Sequence, residues 1–183
     1  VPAWVRGLVD ESEFETLNAA ERDLTDALKS SSPEEHPMPA FLEAKIKRGI
    51  IESEDEVNWL MEGSGPELTL CFDTGHHSYA GYDPVAFMRR HIDRISYMHF
   101  KDIDPTVKAD VVANRTDFYK ACGQGIFCNL GEGDVDFPRV REILLENGFE
   151  GWCTVEQDCD PTLDVNPIDD AKANRAYLQS IGF

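Results

Sequence analysis

From residue 66 onward the chain alternates short apolar runs with segments of helical spacing. Residues 68–72 (LTLCF) form an apolar run set between Gly65-Pro66 and Asp73-Thr74-Gly75, the pattern of a buried strand bounded by turn residues. Asp83-Pro84 then supplies a helix start, an acidic N-cap followed by proline at the first helical position. Val85, Phe87 and Met88 give that helix an inward face. Residues 95–100 (ISYMHF) read as a second strand, 125–130 (GIFCNL) as a weaker third, and 152–156 (WCTVE) as a fourth. Asp136-Phe137-Pro138 opens a helix with Val140, Ile143 and Leu144 on one side and Gly148 as its stop. Asn166-Pro167 opens a last helix carrying Ala171, Ala173, Ala176, Tyr177 and Leu178.

The strand starts recur at roughly 28 residues, the rhythm of a barrel that shares about 250 residues among eight strand-helix units. A doubly wound open sheet has a similar rhythm, so spacing predicts a parallel α/β sheet without choosing its closure. The first 65 residues break the alternation. Helices are expected over 40–48 and 54–62, the second opened by a capping box of Ser53 and Glu56. Between them Gly49-Ile50-Ile51-Glu52 leaves no room for a strand, and residues 30–35 (SSSPEE) read as a loop.

Composition narrows the function. With 42% hydrophobic and 28% charged residues, the 183-residue chain is an ordinary globular sequence of single-domain size. No uncharged stretch approaches the roughly 18 residues of a membrane span, and no basic-then-apolar leader opens the chain, so neither an anchor nor a signal peptide is expected. Thirty-five acidic residues against 17 basic ones, a formal net charge of -18, disfavour nucleic acid and anionic membranes as partners. A neutral polyol or keto-sugar suits the balance better. The five cysteines contain no CxxC pair. Cys71 and Cys153 lie in apolar runs as core residues, and a reducing cytoplasm is the expected setting.

The candidate chemistry gathers at strand ends. Asp73 ends the first strand, His99 lies near the end of the second, and Glu156 ends the fourth. Active sites of parallel sheets form outside those C-terminal ends. Two carboxylates and an imidazole there suit a divalent ion of mixed oxygen and nitrogen preference: manganese, cobalt, iron, magnesium or zinc. His76 and His77 are expected in a loop overhanging the site. Strand alternation puts Lys101 on the face of His99, although Lys101 could instead form a surface pair with Asp102 or with another carboxylate. Gly131-Glu132-Gly133 reads as a turn where backbone could approach a ligand, without a phosphate-loop signature. Trp59 and Trp152 are expected in the core, and no GxSxG elbow supports nucleophilic hydrolysis.

Four segments, FDTGHHSYAGYDP (72–84), YMHFKDIDP (97–105), GIFCNLGEGDVDFP (125–138) and GWCTVEQDCDP (151–161), resemble in order and spacing the inosose dehydratase family, within the wider sugar isomerase/epimerase barrels. The resemblance covers residues 51–183, whereas the N-terminal 50 match loosely. It implies a (β/α)8 TIM barrel, of which the chain covers mainly the C-terminal half as a single partial domain. It also implies a divalent metal, manganese or cobalt ahead of magnesium, iron and zinc, held by Asp73, His99 and Glu156. His76 and Lys101 then contact substrate, and Glu156, Lys101 and His76 are the catalytic candidates. The implied reaction is dehydration of a keto-inositol, with a ketose epimerase or isomerase as one alternative and a non-catalytic barrel fragment as another. A homo-oligomer is left open. Strands of the first half, and a fourth strand near Ile50-Ile51 that would bring another ligand, are expected to be missing from the sequence. An endonuclease on the same barrel is disfavoured by the charge.

Overall fold

The structure is a computed structural model and describes residues 53–158 and 166–183. The helix expected over 40–48, the junction at Ile50-Ile51 and Cys159 lie outside the described residues. The backbone divides into two compact units, Val1–Leu68 and Thr69–Phe183. In the first, the described helix is α1 (Glu54–Gly63), and its predicted capping box is present. The Glu56 amide donates to Ser53 Oγ at 3.3 Å, and the Ser53 amide donates to Glu56 Oε2 at 3.0 Å.

The second unit runs β1 (Leu70–Asp73), α2 (Thr74–Tyr79), α3 (Pro84–His91), a 3-10 turn (Ile92–Arg94), β2 (Ile95–Phe100) and β3 (Asp102–Ile103). It continues through α4 (Pro105–Asn114), α5 (Phe118–Gly123), β4 (Phe127–Cys128), α6 (Phe137–Glu146), β5 (Trp152–Val155) and α7 (Pro167–Ser180). One local rule starts these helices. Asp73, Asp83, Asp104, Asp117, Asp136 and Asn166 are the N-caps of α2 to α7, each side chain accepting from an amide of the first turn. Four of these helices carry proline in that turn, where its fixed φ fits and its missing N–H is not needed. Part of the acidity of the chain is thus helix capping.

β1, β2 and β5 form a parallel sheet in the order β1-β2-β5. Asp73 pairs with His99, and His99 with Thr154, so the strand ends that carry polar residues are level. One face of the sheet, bearing Phe72, Met98 and Phe100, packs under α3 and α6, with Phe72 stacked on Phe87 at 4.9 Å and Phe100 edge-on to Phe137 at 5.6 Å. Phe87, Met88, Phe137, Val140 and Ile143 are buried there. The other face carries Cys71, Asp73, Tyr97, His99, Trp152 and Thr154.

That second face corrects two expectations. Cys71 is exposed and Trp152 is 80% exposed. Both lie on the side turned away from α3 and α6, so the apolar run marks a strand but not which alternate residues are covered. The run at 125–130 is corrected as well. Only Phe127 and Cys128 pair, and they pair antiparallel with Ile103 and Asp102. Residues 102–136 are therefore not a strand-helix unit of the sheet but an excursion between β2 and β5. It has its own small core of Ile103, Val111, Ala121, Ile126 and Phe127. Among the described residues no helix is long and apolar enough to cross a membrane.

Candidate metal centre and active site

Asp73 ends β1 and caps α2. Its Oδ1 accepts from the His76 amide at 2.8 Å, while Oδ2 is buried without a hydrogen-bond partner. That oxygen faces His99 Nδ1 and Lys101 Nζ, each at 3.4 Å. His99 Nδ1 also lies 2.8 Å from Glu156 Oε2, so one ring nitrogen meets both carboxylates, while Nε2 sits 3.8 Å from Cys71 Sγ. Glu156 follows β5 directly. Its amide donates to the Phe100 carbonyl at 3.0 Å, extending the parallel ladder by one residue and setting the carboxylate beside β2.

Lys101 stands at the centre. Its side chain is 1% exposed, and Nζ reaches Asp158 Oδ2 at 2.8 Å, Glu156 Oε2 at 3.0 Å and His76 Nε2 at 3.0 Å. The ring of Phe127 lies 4.9 Å from the ammonium, a cation–π distance. Burial pushes the Lys101 amine down, but the bond to Asp158, the charge of Asp73 and the bond to Glu156 outweigh it and raise it. The group is an ammonium with donors only, so in this contact His76 Nε2 is the acceptor. Burial likewise pushes Glu156 up, yet the bond and charge of Lys101, joined by His99, hold it below the usual carboxylate range.

The expected residues are therefore brought together: Asp73, His76, His99, Lys101 and Glu156 surround one point. Asp73, His76 and Glu156 also offer donor atoms within 4.8 Å of one another, so His76 lies within the donor cluster as well as beside Lys101. The loop expected for His76 and His77 is instead helix α2. His77 turns to the other side, its ring 4.6 Å from Phe87. The alternative Lys101–Asp102 pair is absent. Asp102 is fully buried and accepts from the amides of Ile103 (2.9 Å), Gly131 (2.8 Å), Gly133 (3.1 Å) and Val135 (3.0 Å). The Gly131 and Gly133 amides are thus spent on Asp102 and the Glu132 amide on the Asn129 carbonyl, rather than on a ligand. Gly131 has φ +86°, and a Cβ there would strike the Tyr177 ring, so packing accounts for this glycine.

Two residues of the site escaped the sequence reading. Asp158 lies two positions past Glu156, and the alternation that placed Lys101 beside His99 would have placed it too. Thr74 is completely buried, with its hydroxyl on the Lys101 backbone. A cavity of about 520 Å³ between β5 and α7, lined by Val155, Asn174, Leu178 and Phe183 among others, opens on the side of β5 opposite Glu156 and is separate from this cluster.

Parallel strands flanked by helices, with carboxylates and imidazoles at their C-terminal ends, define a parallel α/β protein whose site lies at the strand ends. Residues 10–181 match the family described as xylose isomerase-like TIM barrel, and the chain belongs to it. The inosose dehydratase of Clostridium tetani (strain Massachusetts / E88) is 39% identical over 130 residues, 70% of this chain and 43% of the relative. That of Geobacillus kaustophilus (strain HTA426) is 37% identical over 133 residues, 72% and 43% of the two chains. A rhizopine catabolism protein of Rhizobium meliloti is 39% identical over 129 residues, 70% and 39%. Among solved structures, a probable 3-DHS dehydratase from Bacillus anthracis has a TM-score of 0.50 at 22% identity, covering 67% of this chain and 42% of that one. A sugar phosphate isomerase/epimerase from Parabacteroides distasonis has a TM-score of 0.50 at 18% identity, 73% and 40%. These two show the fold. The chain spans well under half the length of the curated relatives it matches, and its three-stranded sheet is part of such a barrel.

Proposed function

We propose that the chain carries the metal-holding and proton-transferring part of a hydro-lyase that removes water from a keto-inositol. The observation that carries this reading is the convergence of Asp73, His99, Lys101 and Glu156, joined by four contacts of 2.8–3.4 Å, at the ends of two adjacent strands and just past the third. Its similarity to inosose dehydratases over 70% of its length supports the substrate class.

The residues fit a divalent cation. Asp73 Oδ2 is a buried oxygen with no hydrogen bond, met only by Lys101 Nζ and His99 Nδ1 at 3.4 Å, so it keeps acceptor capacity that a bound cation would use. Three carboxylates, those of Asp73, Glu156 and Asp158, face the single ammonium of Lys101. Asp73, His99 and Glu156 would hold the ion, with mixed oxygen and nitrogen donors that suit manganese or cobalt and also admit magnesium, iron or zinc. Bound there, it would supply Lewis-acid polarisation of the substrate carbonyl and a neighbouring hydroxyl.

The protein groups divide the proton work. Glu156, held ionised, takes the proton from the carbon beside the carbonyl. Lys101 donates to the hydroxyl leaving the next carbon, so that a proton and a hydroxide depart together as water. His76, at 3.0 Å from Lys101 Nζ, contacts substrate beside it. Thiol cysteines among the described residues support a cytoplasmic setting. The test is dehydration of a keto-inositol by the manganese-loaded chain, followed through absorbance of the dicarbonyl product. Product is expected from the wild type and none above background from Glu156→Gln of unchanged circular dichroism. Turnover by Glu156→Gln at the wild-type rate would remove the base assignment, and an inert, metal-loaded wild type would remove the lyase reading.

A further inference from the structure

Lys101 lies one residue past the end of β2, where the ladder between β1 and β2 has already stopped at the Asp73–His99 pair. Its backbone should be loose there. It is held instead by one side chain: Thr74 Oγ1 donates to the Lys101 carbonyl at 2.7 Å and accepts from the Lys101 amide at 3.0 Å. A hydroxyl alone among small side chains both donates and accepts, and Thr74 is 0% exposed, so the pair of bonds replaces the missing rung of the ladder without water. The next residue, Gly75, floors the Lys101 stem. A Cβ on Gly75 would lie 2.5 Å from Lys101 Cγ, 2.7 Å from Cβ and 2.9 Å from Cδ, closer than carbon atoms pack. Gly75 sits in α2 without positive φ, so glycine is not needed for backbone conformation. Alanine would even favour the helix. What glycine provides is the space that the Lys101 side chain fills.

We propose that Thr74 and Gly75 are positioning residues that seat the Lys101 ammonium between Asp158, Glu156 and His76, a role resting on the reading of Lys101 as donor to the departing hydroxyl. The hydroxyl fixes where the Lys101 backbone begins, and the bare Cα of Gly75 fixes the path of its stem. Phe127 closes the socket at 4.9 Å from Nζ. Four rotatable bonds that would otherwise sweep the amine through solvent are thereby confined, which preorganises the donor for its task.

The experiment measures modification of Lys101 by an amine-arylating reagent, trinitrobenzenesulfonate, on the full chain without metal or substrate. It is read by peptide mass spectrometry with the 74%-exposed Lys172 as internal reference. In the wild type Lys101 should react far more slowly than Lys172. Thr74→Val and Gly75→Ala should each speed Lys101 by about tenfold, the equivalent of one or two lost hydrogen bonds, with Lys172 unchanged. Thr74→Ser, which keeps the hydroxyl, should match the wild type. Should Gly75→Ala fail to fold, the Thr74→Val and Thr74→Ser pair decides. Wild-type labelling of Lys101 in Thr74→Val overturns the proposal, and so does an equal acceleration of every lysine, which would mark general loosening. In turnover, Thr74→Val should lower kcat with little change in KM. Faster labelling with undiminished dehydration would uphold the socket and refute instead the part given to Lys101 in the reaction.

Discussion

Replacing Asp102 probes how the excursion is tied to the strand that carries the site. Each of its oxygens accepts from two amides, Oδ1 from Ile103 and Val135, Oδ2 from Gly131 and Gly133. In Asp102→Asn one oxygen becomes an amide nitrogen, so two of the four N–H groups face a donor. At about 1–3 kcal/mol for each buried group left unsatisfied, and with the peripheral glycine amides free to find water, the loss should be about 2–4 kcal/mol. Asp102→Ala removes all four acceptors and also leaves a small void, and should cost about 3–5 kcal/mol. Either is a large fraction of the roughly 5–15 kcal/mol by which a domain is stable. Urea unfolding at neutral pH, followed by far-ultraviolet circular dichroism, gives the numbers. Amide exchange at Gly131, Gly133 and Val135 shows whether the damage sits where the reasoning puts it. An Asp102→Asn protein within about 0.5 kcal/mol of wild type, with unchanged exchange at those amides, would refute the claim that this carboxylate organises the turn.

Other outcomes test the remaining parts. Asp73→Asn and His99→Ala should each weaken manganese binding, measured by calorimetry, by at least the roughly 10–100-fold seen when merely supporting groups around a metal are changed; undiminished affinity would place the ion elsewhere. Phe137 is 0% exposed against Phe100, and Phe137→Ala should lower stability by about 3–5 kcal/mol in thermal or urea unfolding. Glu156 has its folded value depressed by Lys101 and His99, so the stability it contributes is present above the ordinary carboxylate range and is lost as pH falls through the folded value. The gap in urea midpoint between wild type and Glu156→Gln should therefore shrink between about pH 6 and about pH 3, and a gap that widens on acidification would reverse the assignment.

The sheet strands were legible because three apolar runs sit between turn residues, and their last polar residues marked the site. Leu68-Thr69 was drawn into the first strand, which begins at Leu70, a small boundary difference. The misreading at 125–130 has a clear physical source. An apolar run long enough for a buried strand also suits a two-residue pair wrapped in its own small core, and only the partner strand distinguishes them. The helix α4 carried the same Asp-Pro start as α3, at Asp104-Pro105, and could have been found by that signal. Of its apolar residues Val107 and Val111 share a face on the small core while Val112 is 67% exposed, so the periodic signal is short. Asp102 and Thr74 were beyond reach for another reason. Apart from the adjacent Ile103 amide, their partners are backbone groups 25 to 33 positions away, and nothing in the local sequence announces a side chain that serves distant backbone groups.

The bonds of Asp102 also bear on how the chain reaches this fold. Tyr97 and Thr154, neighbours across β2 and β5, are 57 positions apart, so docking β5 means closing a long loop before any sheet contact rewards it. Asp102 and Val135 are 33 positions apart, and their bond lies inside that span. Once it forms, the excursion is pinched off and the segment still to be closed is less than half as long. Loop-closure entropy changes by only about 0.6 kcal/mol for each doubling of length, yet in a search governed by sequence separation that difference speeds the step severalfold. On loop-closure grounds, then, a single buried carboxylate favours an order in which the excursion closes before β5 docks on β2.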